Sequence, residues 1–403
     1  MKIKTKGLGY VLTFLGVLLL FASCKSNTKE KAEESLTVEV QNELDFNRNE
    51  VVGIKKQDLQ SFLGDKSEEN LRIKKEGKEE YLRTQWIDYN QDGINDEILF
   101  QAKVGANSSV KYIIVEDSSK TAPKSNVVAY SRFVPERIDD YTWENDKVAF
   151  RTYGPAAKQA ALDGVPGGVV SSGIDLWLKS TNRSIIDEWY KRNTEEEGYY
   201  HTDRGDGYDP YHVGSSRGTG GIGIYENDSL YVSENFVDFN IIAQGPLRTV
   251  FELSYAPWSP YNVKETKRIS LDLGTNFSKF ESTFSSDKEV PNYAAGITLH
   301  KNEGDFEMDE ENAWLLHWET IDGSHVGEGI IVDPKQVDSI FARVSKTPDQ
   351  SNLLITMQPK EKLVYYAGFA WERSGQVSSM EEWKRMLLKQ EKIIDKPLEV
   401  SLK

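Results

Sequence analysis

The 403 residues contain a single cysteine, Cys24. A lone thiol cannot close an internal disulfide, so pairing gives no reason for its presence. Histidine is also scarce, with five residues, and none stands in His-Glu-x-x-His spacing, which removes the familiar helical zinc motif. Cations are in deficit: 49 Lys and Arg face 64 Asp and Glu, a formal charge of −15. That balance argues against nucleic acid and against loose adhesion to any long polyanion. It leaves room for a local arginine pocket that holds one carboxylate or sulfate. Long apolar runs are missing beyond the one from Leu8 to Phe21, which is shorter than the ~20 residues of a comfortable membrane span. No repeat of solenoid or propeller period is visible.

What is present begins with an export signal. Lys2, Lys4 and Lys6 precede that apolar run, which ends in Leu20-Phe21-Ala22-Ser23-Cys24. Small residues leading into the lone cysteine resemble a bacterial lipobox, with Phe21 where leucine is usual. The expectation is a signal peptide over 1–23 and a lipoprotein acylated at Cys24, on the periplasmic or cell-surface face of an outer membrane. The bland alternative is an ordinary cleaved signal with an incidental cysteine. Residues 24–35 are Lys, Ser, Asn, Thr and Glu with little else, and read as a flexible tether. Removing residues 1–23, which carry three lysines and no acid, takes the charge from −15 to −18.

Two blocks follow. Over 36–122, short β-type stretches alternate with charged turns: Val51–Ile54, Asn70–Ile73, Thr84–Ile87, Glu97–Phe100 and Val110–Val115. This predicts a small antiparallel sandwich, with Ser118–Ser125 as a linker. The block 123–403 is again strand-rich, with clear alternation in Lys147–Arg151, Gly221–Tyr225, Thr249–Tyr255, Thr266–Asp272, Lys279–Thr283 and Leu363–Trp371. One helix stands out at 379–393, where Ser379 and Glu382 form a capping box and Trp383, Met386 and Leu387 share a face. A strand at 398–402 closes the chain. The expected class is all-β: a large antiparallel sandwich, supersandwich-like, preceded by a small β-sandwich domain, with few helices.

Three constellations carry chemistry. Asp88, Asn90, Asp92 and Asp96, with Gly93 at the sixth place, match the oxygen spacing of a calcium loop. Leu99 stands where an EF-hand has its bidentate glutamate, so the loop is either a structural calcium site or an Asx-rich turn that needs no metal. The densest cluster is Tyr199–Gly221, in which His201 and His212 lie eleven residues apart among glycines, aspartates, tyrosines and the arginines Arg204 and Arg217. Glycine and proline mark a loop, and these residue types suit proton transfer and anion binding. His201, Tyr208, His212 and Arg217 are the expected catalytic set facing one cleft, with Arg204 near its rim. His201, Asp203, Asp209 and His212 are an alternative zinc set. Gly218–Gly223 is only superficially a dinucleotide fingerprint, because a strand follows it. A third cluster supplies Trp143, Arg151, Asp175 and Trp177 as sugar-binding candidates, against the reading of tryptophans packed in a core.

The stretch Glu136–Asp146 through Tyr153-Gly154, with Gly173–Trp177, Tyr208–His212 and Ala295–His300, resembles a Bacteroidetes family of polysaccharide-utilisation lipoproteins long known only as a domain of unknown function. The resemblance covers most of the chain and extends to ulvan-oligosaccharide dehydratases. It implies removal of water from a non-reducing-end uronate to give a 4,5-unsaturated sugar. The implied partner is an acidic oligosaccharide; the membrane is met only through the lipid, and the oligomeric state stays open. No cofactor is required beyond the structural calcium weighed above. Such chemistry needs a neutralised carboxylate, a base at the C5 proton and an acid at the C4 oxygen. His212 or Tyr208 would be base and the other acid, Arg217 would hold the carboxylate, and His300 and Arg151 would contribute from the sheet. A polysaccharide lyase, a glycoside hydrolase and a non-catalytic oligosaccharide-binding lipoprotein are the competing readings.

Overall fold

Strand alternation becomes layers wherever one set of alternate side chains is apolar. In the strand Ser35–Asn42, Val38 and Val40 turn inward while Glu39 between them stays at the surface. The computed structural model describes residue 1 and residues 34–403, apart from Ser215 and Pro348. The expected signal peptide after residue 1, Cys24 and all but the last two residues of the expected tether lie outside the described residues. Ser35, the last of that tether, already begins a strand.

Residues 35–403 form one compact unit. At its front, Ser35–Asn42, Leu71–Lys75, Ser108–Glu116 and Glu399–Leu402 make a four-stranded sheet, and Arg48–Lys55, Thr84–Ile87 and Glu97–Val104 a three-stranded one. Val38, Ile73 and Ile114 of the first meet Ile54, Ile98 and Phe100 of the second in a common core. The last strand departs from the expected boundary at 122. It lies beside the first, with Val38 opposite Leu402 and Val40 opposite Val400, because its apolar residues fill that front core.

Behind it stands an eight-stranded antiparallel sheet, in the order Phe236–Gln244, Arg248–Trp258, Val263–Asp272, Phe277–Ser285, Lys362–Trp371, Ser324–Val332, Trp314–Ile321 and Asp305–Asp309. Its inner face packs on two five-stranded sheets. One contains Thr219–Glu226, Tyr293–Thr298 and Asn352–Met357; the other contains Asp140–Glu144, Ala149–Tyr153 and Asp175–Lys179. The fold is therefore mostly antiparallel β, as the alternation predicts.

The helix Met380–Asp395 covers the outer face of the eight-stranded sheet. Ser379 caps it by accepting from the Glu382 amide, while the Glu382 carboxylate accepts from Ser378, one place earlier than a standard capping box. Trp383 is fully buried, stacks on Phe277 at 5.4 Å and donates from Nε1 to the Glu328 carbonyl at 2.9 Å. The indole fits because Gly327 has no side chain: a Cβ there would come within 2.5 Å of it. Three shorter helices, Lys56–Leu63, Pro155–Leu162 and Ile186–Glu195, escape the sequence reading, since eight to ten residues give too few turns for a clear period. Among the described residues no helix is long and apolar enough to cross a membrane.

Trp383→Ala should cost about 3–5 kcal/mol of stability, because it removes a buried indole and leaves a cavity. Ser379→Ala should cost about 1 kcal/mol as the loss of a cap. Urea unfolding of both variants checks the ordering; equal losses would show that the helix is not seated through Trp383.

Candidate active site

The segment 207–213 is the pivot of the polar structure. It enters beside Asp175–Lys179, with Tyr208 opposite Leu178. Gly207 is obligatory there: its φ is 109°, and a Cβ would meet the Leu178 carbonyl at 1.9 Å. The side chains beyond it then divide between two clusters.

The first cluster sits on the inner face of the eight-stranded sheet. His317 and Glu328 are directly opposite in register, and Nδ1 of His317 lies 2.6 Å from the Glu328 carboxylate. Glu328 also accepts from the Tyr211 hydroxyl at 2.7 Å and from Thr219. Glu319, two residues after His317 and so on the same face, is 3.1 Å from Nδ1 of His300. Nε2 of His300 faces the His212 carbonyl at 2.6 Å. With an acceptor on each nitrogen, His300 is built to be an imidazolium. Burial pushes its pKa down, but the hydrogen bond and charge of Glu319 outweigh that and raise it to about 9. The His317 pKa is raised in the same way by Glu328, against the effect of burial.

Toward solvent, His212 exposes 68% of its side chain, with Nε2 3.3 Å from Asp349. Tyr208 packs beside Trp371 and donates to Asp322 at 3.2 Å. Burial and the Asp322 charge push its phenol up to about 12. Arg373 donates to the backbone carbonyl of the same Asp322 at 2.7 Å and lies over the Trp371 ring. It is a half-exposed cation next to Tyr208. A ring nitrogen of His317 and carboxylate oxygens of Glu319 and Glu328 lie within 4.8 Å of one another, a donor set that suits zinc, manganese or iron. Each of the three is also hydrogen-bonded within the cluster.

The second cluster is wholly internal. Arg151 bonds Asp175 and Asp209 at 2.6–2.8 Å and lies 3.7 Å from Asp140. Burial would lower its pKa, yet Asp209 and Asp175 hold it well above the ordinary value. Burial lifts Asp140 to about 6 against the pull of Arg151 and Arg137. Trp177, Tyr190 and Tyr200 close over these groups, and His201 stands at the edge with Nδ1 2.8 Å from the Asp209 carbonyl.

Several sequence expectations change here. His212 lies beside His300, with ring centroids 6.5 Å apart, Tyr208 faces Asp322 and Trp371, and His201 belongs to the second cluster. Arg217 is buried away from both. It donates to Ser172 and to the Ile222 carbonyl at 3.0 Å, and burial lowers its pKa to about 10. It cannot meet a substrate carboxylate from there. Trp143 and Trp177 are fully buried and Asp175 and Arg151 nearly so, so none offers a face to a sugar. Their apolar surface closes the core instead. Arg204 is exposed but pairs with Glu196 and covers Tyr199. The zinc set His201, Asp203, Asp209 and His212 is not assembled; among the described residues the convergent group is His317, Glu319 and Glu328. In the loop of Asp88, Asn90, Asp92 and Asp96, the carboxylates of Asp88, Asp92 and Asp96 and the Asn90 amide oxygen accept from the loop's own backbone amides, as an Asx-rich turn does with or without a metal.

The model of a domain of unknown function, DUF4861, matches residues 40–400. The chain belongs to the DUF4861 family. Uncharacterized protein P7 of Formosa agariphila is 41% identical over 397 residues, 97% of this chain and 98% of that one. Among solved structures, a protein in glycosyl hydrolase family 38 from Enterococcus faecalis is similar with a TM-score of 0.50 at 8% identity, over 92% of this chain. The chain spans about half the length of that structure, 47%, and the likeness is one of fold. In this DUF4861 chain the residues that sequence reasoning missed are His317, Glu319, Glu328, Tyr211 and Arg373. One signal was available: His317-x-Glu319 on a strand puts both side chains on one face.

His300 supplies a pH test. Its folded pKa near 9 exceeds the ordinary value of 6.5, so its contribution to stability is complete below about 6.5 and is lost as pH rises through about 9. Urea midpoints should fall across that window in the native protein and not in His300→Gln. Parallel curves would show that His300 is not a buried imidazolium.

Proposed function

We propose that this DUF4861 protein is a carbohydrate-active lyase that dehydrates the non-reducing-end uronate of acidic, ulvan-type oligosaccharides. The observation that carries the reading is the segment 207–213, which sets Tyr208 against Asp322, to which Arg373 also bonds, and the exposed His212 beside His300, their rings 6.5 Å apart. His300 keeps its proton at neutral pH, and the phenol of Tyr208, pushed up to about 12, keeps its own. The base is therefore His212, which is exposed and takes the C5 proton. The electron pair of that C–H bond forms the C4–C5 double bond, and the C4–O bond breaks. Tyr208 donates a proton to the departing oxygen, which leaves as water. Arg373 replaces Arg217 as the cation facing the carboxylate, whose neutralisation makes the C5 proton acidic. No redox or nucleotide cofactor enters. A calcium ion on Asp88, Asn90, Asp92 and Asp96 would be structural.

A polysaccharide lyase performs the same elimination with a sugar as leaving group, so the same residues would serve it. We place the protein outside the cytoplasm, held at a membrane through lipid on Cys24.

Incubation with uronate-ended oligosaccharides should raise the absorbance of the unsaturated uronate and lower each mass by one water, with no shortening. Shortened chains would assign a lyase or hydrolase, and binding without turnover a carrier. His212→Ala should lower turnover at least about 100-fold, the scale of a lost general base, and leave the thermal midpoint unchanged. Near-full activity in that variant would remove His212 from the mechanism.

A further inference from the structure

A second feature lies on the other side of the eight-stranded sheet from the histidines. It is a groove of about 660 Å³. Its floor is the outward-facing row of Arg248, Arg268, Lys279 and Tyr366, whereas Glu319 and Glu328 point inward from the same sheet. One wall is the segment Phe46–Val51 of the front sandwich. The other is the helix Met380–Asp395, which contributes Lys389 and Gln390.

Charge in the groove runs against the rest of the chain. Six cations line it (Arg48, Lys147, Arg248, Arg268, Lys279 and Lys389) against four carboxylates, Glu50, Asp146, Asp272 and Glu281. The whole chain carries −15. Arg48 is committed to Glu50, Arg248 to Asp272, Arg268 to Glu252 and Lys279 to Glu281. These pairs fix rigid forks whose outer faces remain polar. Lys147 and Lys389 have no ion pair among the described residues; the Lys389 ammonium lies 5.5 Å over the Phe46 ring. Two lysines without an ion pair thus line a groove that is also lined by Tyr89, Tyr366, Asn47, Asn49 and Gln390.

We propose that this groove binds an anionic oligosaccharide, with Lys147 and Lys389 on its carboxylate or sulfate groups, at a site separate from Tyr208 and His212. Ring faces take the apolar faces of sugars, and amides take hydroxyls. A long nucleic acid is disfavoured, because beyond the groove it would meet the acidic surface. The proposal does not rest on the activity assigned to the histidine site. It gives the protein a second grip on a chain whose end could be processed elsewhere.

The test uses the full chain carrying His212→Ala, so that binding is measured without turnover, and titrates a uronate hexasaccharide and its carboxyl-reduced neutral counterpart by calorimetry. The uronate chain should bind at least tenfold more tightly than the reduced one, and its Kd should rise with salt. Adding Lys147→Glu and Lys389→Glu should weaken uronate binding at least tenfold and leave the neutral sugar unchanged. Placing the same charge change at Lys335 and Lys346, which flank the strand Val337–Arg343 outside the groove, should leave Kd within about twofold. Equal binding of the two sugars, no binding of either at millimolar concentration, or equal losses in the two double variants would each overturn the proposal. Dehydration with no groove binding would sink this inference alone; groove binding in a native protein without turnover would sink only the activity proposed above.

Discussion

A buried guanidinium organises the functional end of this protein. Taking Arg151 out of water costs several kcal/mol unless its charge is met by well-placed acceptors. Asp175 meets it from the neighbouring strand and Asp209 from the segment 207–213. The second contact matters most, because that segment has little regular structure of its own beyond the bridge at Gly207 and Tyr208. Pinned at Asp209, it has to send Tyr208 toward Asp322 on one side of the pin, and Tyr211 and His212 toward Glu328 and Asp349 on the other. Tyr208 and His212 occupy their places because a buried charge needs a partner.

The two-residue period of the β-strand performs a second division. In Val263–Asp272, Glu265, Lys267 and Ile269 face the interior while Arg268, Ser270 and Asp272 face the groove. In Ser324–Val332, Glu328 points inward to His317 while Gly327 makes room for Trp383 on the outside. A single sheet therefore separates two polar environments of opposite bias. The inner one holds the His317–Glu328 and His300–Glu319 pairs together with the buried Lys267–Glu265 pair. The outer one has an excess of cations, two of them uncommitted. A surface selected only for solubility on so acidic a chain would not concentrate basic residues in one groove.

Alternation made the strands legible: Thr84–Ile87 is a strand over the expected residues, and the cap at Ser379 marks the long helix to within a residue. The site was harder to read, and Arg217 and Trp177 show why. A polar residue among glycines and a tryptophan near an aspartate have the same composition whether they line a cleft or fill a core. What decides between them is register with distant strands. Arg217 lies beside Ile174 and Thr298, and Trp177 opposite Ala149, pairings between segments far apart in sequence. Glu328 is the clearest case. Nothing local marks it as chemistry, and it acquires meaning only because hairpin register sets it opposite His317.

The electrostatics of the pairs also decide which histidine is free to act. His317 and His300 each spend both ring nitrogens on protein acceptors, so each is a charged structural member, and their carboxylate partners make the charged form the stable one. A histidine in that state stabilises negative charge but cannot begin a reaction by taking a proton. His201 bonds through Nδ1 to the Asp209 carbonyl at the margin of the internal cage, and His325 stacks on Trp318 and pairs with Glu372. His212 is left as an imidazole with 68% of its side chain exposed, paired to Asp349, with its backbone carbonyl held by His300. That contact couples the free histidine to the fixed one. Any movement of His212 that loses it strands the Nε2 proton of a buried imidazolium, so the network that charges His300 also fixes the backbone of His212, the base proposed above.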